Sequence, residues 1–247
     1  MDGSCRRALE LGISAIAFTE HADFDEYVTQ RNGLLDVPGY LQAIDQCRSQ
    51  YPSLRILSGL ELGSPHRFPT ETAKVLAAGS FDRVLGSVHH VVSDGELVYA
   101  GEPELLTPER AGSTMRSYLA EVLRLLESEQ PFEILAHVDY PKRYWPHDQV
   151  AYREVDYEEE FRSVLAATAH RGAVLEINTT GGEDPERQFC PGPLVVRWWY
   201  AAGGTAVSFG SDAHEPVALA AGFGRARQLA EAAGFKRFKT PADFLRR

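Results

Sequence analysis

Residues 54–61 read LRILSGLE and residues 82–89 read DRVLGSVH, two apolar runs of strand length that each close on a side chain able to bind a metal ion. Helical sequence lies between them, and the pattern repeats in both directions along the chain. Toward the N-terminus, the run Ile13–Thr19 feeds His21 in FTEH. Toward the C-terminus, Phe132–His137 closes on His137 in EILAH, Ala173–Asn178 closes on Asn178 in LEIN, and Thr205–Ser211 feeds Asp212 and His214 in FGSDAH. The runs are mostly continuous rather than alternating, as parallel strands buried on both faces require. Strand and helix taking turns throughout predicts an α/β fold with a parallel sheet, most simply closed as a barrel. A length of 247 residues suits one such domain. No linker-like stretch divides the chain, so residues 1–247 read as a single unit.

Two helices are legible by period. In Thr107–Glu127 the set Met115, Tyr118, Leu119, Val122, Leu123 and Leu126 recurs every 3.6 residues, and Thr107-Pro108 reads as a cap followed by proline. Tyr157, Phe161, Val164, Leu165 and Thr168 form a second stripe, with Asp156 as its expected cap. Residues 90–101 read as a small excursion turning at Asp94-Gly95. The chain opens with a helix, Cys5–Leu11, where a β/α barrel normally opens with a strand.

Six strands thus deliver a polar residue at the carboxyl end, where β/α proteins place their active sites. Imidazole and carboxylate together suit borderline divalent metals such as Mn, Zn or Fe. One buried histidine at a strand end is an ordinary structural residue. Four histidines and two carboxylates at equivalent positions are not an independent accident, and they predict a shared metal site. His66, His147 and His170 lie in Pro-rich loops or at a helix end and read as surface or capping residues. His90 follows His89 directly and is expected to face the opposite way.

Composition narrows the partners. Hydrophobic residues make up 44% and charged residues 24%, the balance of a globular protein. Net charge is −10 and no Lys/Arg-rich run exists, which argues against a nucleic-acid binder but not against a small anionic substrate beside metal. No apolar run reaches the roughly 18–20 residues of a membrane span. Cys5, Cys47 and Cys190 are scattered without CxxC spacing. Together with an opening segment that lacks an apolar core, they predict a reducing, cytoplasmic location.

In order, FTEHADF, GLELG, LGSVH, AHVDYPKR, EINTTG and GSDAH resemble the motifs of the PHP (polymerase and histidinol phosphatase) family. TEHADF and the AHxDY run look most like its bacterial histidinol-phosphate phosphatases. The resemblance implies a distorted seven-stranded (β/α) barrel holding up to three divalent ions. It makes His21, Glu61, His89, His137, Asp212 and His214 metal ligands, Glu61 bridging two ions, with Glu61, Asp212 and His214 as the catalytic candidates. It makes Arg143 a phosphate contact. The family opens on a strand ending in His-x-His, which this sequence lacks. The expectation is therefore a barrel without its first strand, fewer ions, and a biological start upstream of Met1.

The implied reaction is metal-assisted hydrolysis of a small phosphomonoester, L-histidinol phosphate, by direct attack of water on phosphorus. No GKS/T loop or GxSxG elbow suggests a nucleotide-driven or acyl-enzyme route. Arg187, on the loop after Asn178, is a candidate substrate contact and equally a solvated surface residue. Asn178 either orients substrate or holds a ligand. Two alternatives stand beside this reading: another PHP phosphoesterase acting on nucleotides or oligonucleotide ends, and an inactive binding remnant.

Overall fold

The computed structural model describes residues 1–25, 33–180 and 182–236. In chain order the elements are α1 (Asp2–Glu10), β1 (Ala15–Ala22), α2 (Val37–Gln50), β2 (Arg55–Gly63), α3 (Pro69–Ala77), β3 (Arg83–Ser87), β4 (His90–Ser93), β5 (Glu96–Tyr99), α4 (Ala111–Glu127), β6 (Ile134–Leu135), α5 (Glu158–Arg171), β7 (Val174–Asn178), α6 (Pro193–Ala201), β8 (Val207–Gly210) and α7 (Phe223–Ala233).

Six strands form one sheet in the order β1-β2-β3-β6-β7-β8, every pair parallel. The sheet is a curled β/α half-barrel, with β1 and β8 as its edges. All six expected strands are present, shifted by a few residues. Strand β2 is buried from Ile56 to Gly63 on both faces, which explains its unbroken apolar sequence. The excursion is the antiparallel hairpin β4–β5, turning on Asp94 and Gly95 with φ of 53° and 87°. Two consecutive left-handed residues match the right-handed twist of the flanking strands, and Asp-Gly supplies them at low cost.

The main core lies between the sheet and α4, α5 and α6. Met115, Tyr118, Leu119 and Val122 of α4 meet Phe161, Val164 and Leu165 of α5 and Val195, Val196 and Trp199 of α6 there. Cys5, Cys47 and Cys190 are buried free thiols. No helix among the described residues is long and apolar enough to cross a membrane.

Register gathers the ligand-type residues at one end. His21 on β1 pairs with Glu61 on β2, Gly63 pairs with Ser87 on β3, and Asn178 on β7 pairs with Gly210 on β8. All lie at the carboxyl ends of the strands.

Two helix starts differ from expectation. Thr107 does not cap α4: its carbonyl accepts the amides of Arg110 at 3.1 Å and Ala111 at 2.9 Å, closing a separate turn, and the helix begins at Ala111. Asp156 does not cap α5 either. It lies inside a 3-10 turn, Glu154–Tyr157, and Tyr157 stands at the helix boundary without a side-chain cap. Glu158, Glu159 and Glu160 in the first turn supply the negative charge that the helix N-terminus favours.

Candidate metal centre

Glu61 is the hub. Its carboxylate is buried, and Oε1 accepts from His137 Nε2 at 2.7 Å and from His89 Nε2 at 3.1 Å. His21 Nδ1 lies 4.0 Å from the other oxygen. Strands β1 and β2 and the residues just past β3 and β6 therefore converge on one carboxylate.

Asp23, absent from the expected ligand set, organises two of these imidazoles. Its carboxylate accepts from His89 Nδ1 at 2.7 Å and contacts His21 Nδ1 at 3.2 Å. The first contact fixes His89 with Nε2 turned toward Glu61. A carboxylate behind a histidine in this way sets both ring orientation and basicity. Gly63 makes the arrangement possible, since a Cβ there would collide with Asp23 Oδ1 and come within 3.1 Å of His89 Nδ1. The signal was present in FTEHADF: two residues beyond His21, Asp23 falls on the same face of an extended chain.

Asp212 and Arg143 form the second part of the site. Arg143 Nη2 meets Asp212 Oδ2 at 2.7 Å, both side chains being largely buried. The guanidinium carbon lies 4.9 Å from the centre of the Tyr140 ring, and that ring lies 4.8 Å from His137. His214 is exposed, its Nδ1 3.1 Å from the Asp212 carbonyl, and its ring centre is 5.9 Å from that of His21. His21 thus joins the two halves. Three non-glycine residues just past the ends of parallel strands have positive φ: Ser64 at 49°, Thr180 at 40° and Asp212 at 49°. Backbone strain of this kind costs about 1–3 kcal/mol per residue and collects at functional sites.

Charge is balanced internally. Burial alone would raise the Glu61 carboxyl, but the His21 charge and hydrogen bonds from His137 and His89 hold it well below the usual range. Burial opposes ionisation of Asp23 too, and His89 and His21 reverse that effect. His21 is pushed up to about 9 by the Glu61 charge, against its own burial. His137 is depressed by burial. Glu176, a further residue that sequence reading passed over, is buried and pushed up to about 8 by that burial. One of its oxygens accepts from the His137 amide at 3.0 Å and from Asn178 Nδ2 at 3.2 Å. A glutamate inside an otherwise apolar strand, LEIN, was its mark.

The other candidates fall elsewhere. Asn178 is buried, and its Oδ1 accepts from the Thr180 amide and hydroxyl at 3.1 and 2.6 Å, so it orders the loop after β7. Arg187 is exposed, 3.6 Å from the exposed Asp148. His90 does face away from His89, toward Asp25 at 3.6 Å. His66 is a correction: it is buried, with Nε2 3.0 Å from Glu121. The buried Glu121 carboxylate needs partners, and the loop after β2 provides His66 and Arg67. His147 meets the Lys142 carbonyl at 3.3 Å.

These residues fit a divalent metal. Donor atoms of His21, Glu61 and His89 lie within 4.8 Å of one another, and so do those of His21, Asp212 and His214. His137 adds a buried Nδ1 that has no hydrogen-bond partner among the described residues. Mixed imidazole and carboxylate donors are the set that Zn, Mn and Fe accept.

A PHP domain model matches residues 1–180 of the chain. The chain belongs to the PHP family. Similar proteins include the histidinol-phosphatase of Lactococcus lactis subsp. lactis (strain IL1403), 28% identical over 94% of this chain and 85% of the relative. A probable histidinol-phosphatase of Clostridium acetobutylicum is 27% identical over 90% of this chain and 83% of that one. Among solved structures, the L. lactis histidinol phosphate phosphatase complexed with Zn, L-histidinol and phosphate matches with a TM-score of 0.78. That match has 26% identity and covers 95% of this chain and 87% of that one. A putative histidinol phosphatase of Listeria monocytogenes, at 18% identity and a TM-score of 0.71 over 91% of this chain and 92% of its own, shares the fold. The PHP fold expected from the motifs is thus established: a parallel β/α half-barrel with six strands among the described residues.

Proposed function

We propose that residues 1–247 form one metal-dependent phosphomonoester hydrolase that converts L-histidinol phosphate and water to L-histidinol and phosphate. The observation that carries this reading is the juxtaposition of Arg143 with the donor cluster. A buried arginine lies against Asp212, in a chain whose relatives over nine-tenths of its length are histidinol-phosphatases. Within the site, His21, Glu61 and His89, with His137 beside them, would hold one part of a metal centre, and His21, Asp212 and His214 the other. A divalent ion bound there supplies Lewis-acid charge against phosphoryl oxygens and a water of lowered pKa.

The chain's own residues do the rest. Arg143 is pre-oriented by Asp212 and Tyr140, and its buried Nε has no acceptor among the described residues, leaving that donor for a phosphoryl oxygen. A planar guanidinium presents two parallel donors, which fixes the phosphate in orientation as well as position. Asp23 keeps the His89 and His21 rings aimed inward. As water attacks, its oxygen bonds to phosphorus and gives up a proton, the bond to the ester oxygen breaks, and that oxygen takes up a proton, so that L-histidinol and phosphate are the products. The test is phosphate release from L-histidinol phosphate by the zinc-loaded chain and by Glu61→Gln, with zinc content measured alongside. The reading expects turnover by the first and joint loss of metal and activity in the second. A fully loaded, fully active Glu61→Gln variant would overturn it.

A further inference from the structure

Lys142 is fully buried, yet it is next to Arg143 in the turn Tyr140–Tyr144. Tyr140 and Arg143 face the cluster, while Lys142 points the other way. Its Nζ donates to the Phe189 carbonyl at 2.8 Å and lies 3.4 Å from the Pro185 carbonyl. The Tyr152 ring centre is 5.3 Å away. Two buried carboxyls, Asp139 and Glu154, feel its charge. Gly192 leaves the space, since a Cβ there would stand 3.0 Å from Nζ and 2.6 Å from Glu154 Oε1.

A whole buried ionic pair replaced by apolar side chains of similar volume is often neutral or stabilising, whereas removing Lys142 alone takes the cation away from Asp139 and Glu154. What Lys142 does that methionine cannot is hold carbonyls. Both carbonyls belong to the segment after β7, and the turn it occupies carries Arg143. We propose that Lys142 is a positioning residue, holding Pro185–Phe189 against the Tyr140–Tyr144 turn and so fixing Arg143 where it meets the phosphate. The proposal rests on Arg143 being the phosphate contact, as read above. It also gives the loop after β7 a task that does not need Arg187 to touch substrate.

The experiment measures inhibition of the zinc-loaded enzyme by inorganic phosphate, with zinc content, in wild type, Arg143→Ala and Lys142→Met. Arg143→Ala should raise the phosphate Ki about 10- to 100-fold, the loss of a charged hydrogen bond. Lys142→Met should raise it roughly 10-fold at unchanged zinc content, because a small misplacement of a positioning group is costly. In Lys142→Ala, added propylamine, which replaces the deleted atoms, should restore the wild-type Ki saturably. A purely structural loss would not respond to it. In the wild type, phosphate should slow hydrogen exchange at the Gln188 and Cys190 amides, a readout independent of whether the variants fold. An unchanged Ki in Lys142→Met beside a raised one in Arg143→Ala overturns this proposal alone, as does the absence of phosphate protection in wild type. An unchanged Ki in Arg143→Ala overturns the reading beneath it.

Discussion

At the residue scale, the site depends on one carboxylate that several imidazoles share, and on a second carboxylate that aims them. Asp23→Asn keeps the shape of the side chain but removes the charge behind His89 and His21. Losing such a partner typically weakens metal affinity 10- to 100-fold. Competition with a chromophoric chelator should show that loss while the circular dichroism spectrum stays native. Wild-type affinity in the variant would leave Asp23 without the assigned task. Gly63→Ala should give a similar phenotype by a different route, since its methyl group collides with Asp23. The ligand-type residues at strand ends were legible because burial on both faces makes a terminal histidine or carboxylate stand out against an apolar run. Asp23 and Glu176 were harder to see. Each lies two positions from a residue that attracted attention, and an acid on a loop or strand reads as solvated until the fold shows what covers it. Of the two candidate arginines, Arg143 meets Asp212 beside the cluster, and Arg187, on the loop after β7, meets Asp148.

At the element scale, the loop after β2 is tied to α4 by a buried charge cluster. Glu121 accepts from Arg67 at 2.6 Å and contacts His66 at 3.0 Å, with Arg124 as a third partner. Burial opposes ionisation of Glu121, but hydrogen bonds from His66 and Arg67 outweigh it and bring the carboxyl down to about 2 from an ordinary 4.5. A depressed carboxylate stabilises the folded state fully above the unfolded value and loses that contribution as pH falls through the folded one. The stability gap between wild type and Glu121→Gln should therefore be constant above pH 4.5 and shrink toward pH 2. Partial exposure of Arg67 discounts the gap to roughly 1–3 kcal/mol at neutral pH. Urea melts across that range measure it, and a gap independent of pH would remove Glu121 from this account. The helix stripes were legible from their period, but the starts of α4 and α5 were not. Thr107-Pro108 and Asp156 carry genuine turn chemistry, and it is spent on short turns that precede each helix. Local signals of this kind mark where the chain bends, while tertiary packing decides where the helix proper begins.

Across the whole molecule, sheet order and register bring residues nearly 200 positions apart to one end of the strands, which no local pattern could supply. Alternation of strand and helix predicted the parallel sheet, and the motifs predicted its PHP form. A site assembled from five strands should also couple metal to stability, since only the folded chain presents the donors together. Zinc at 100 times its Kd should stabilise the fold by about 2.7 kcal/mol, visible as a rise in Tm that a chelator reverses. Glu61→Gln should show little of that rise.

The claim that substrate handling follows from this arrangement is tested most directly by kcat/KM of the zinc-loaded chain for L-histidinol phosphate against a nucleoside 5′-monophosphate. The account predicts turnover of both at most weakly for the nucleotide and a preference for L-histidinol phosphate of roughly 100-fold or more, the discrimination that about 3 kcal/mol of differential transition-state binding gives. Equal values, or a preference for the nucleotide, would contradict it.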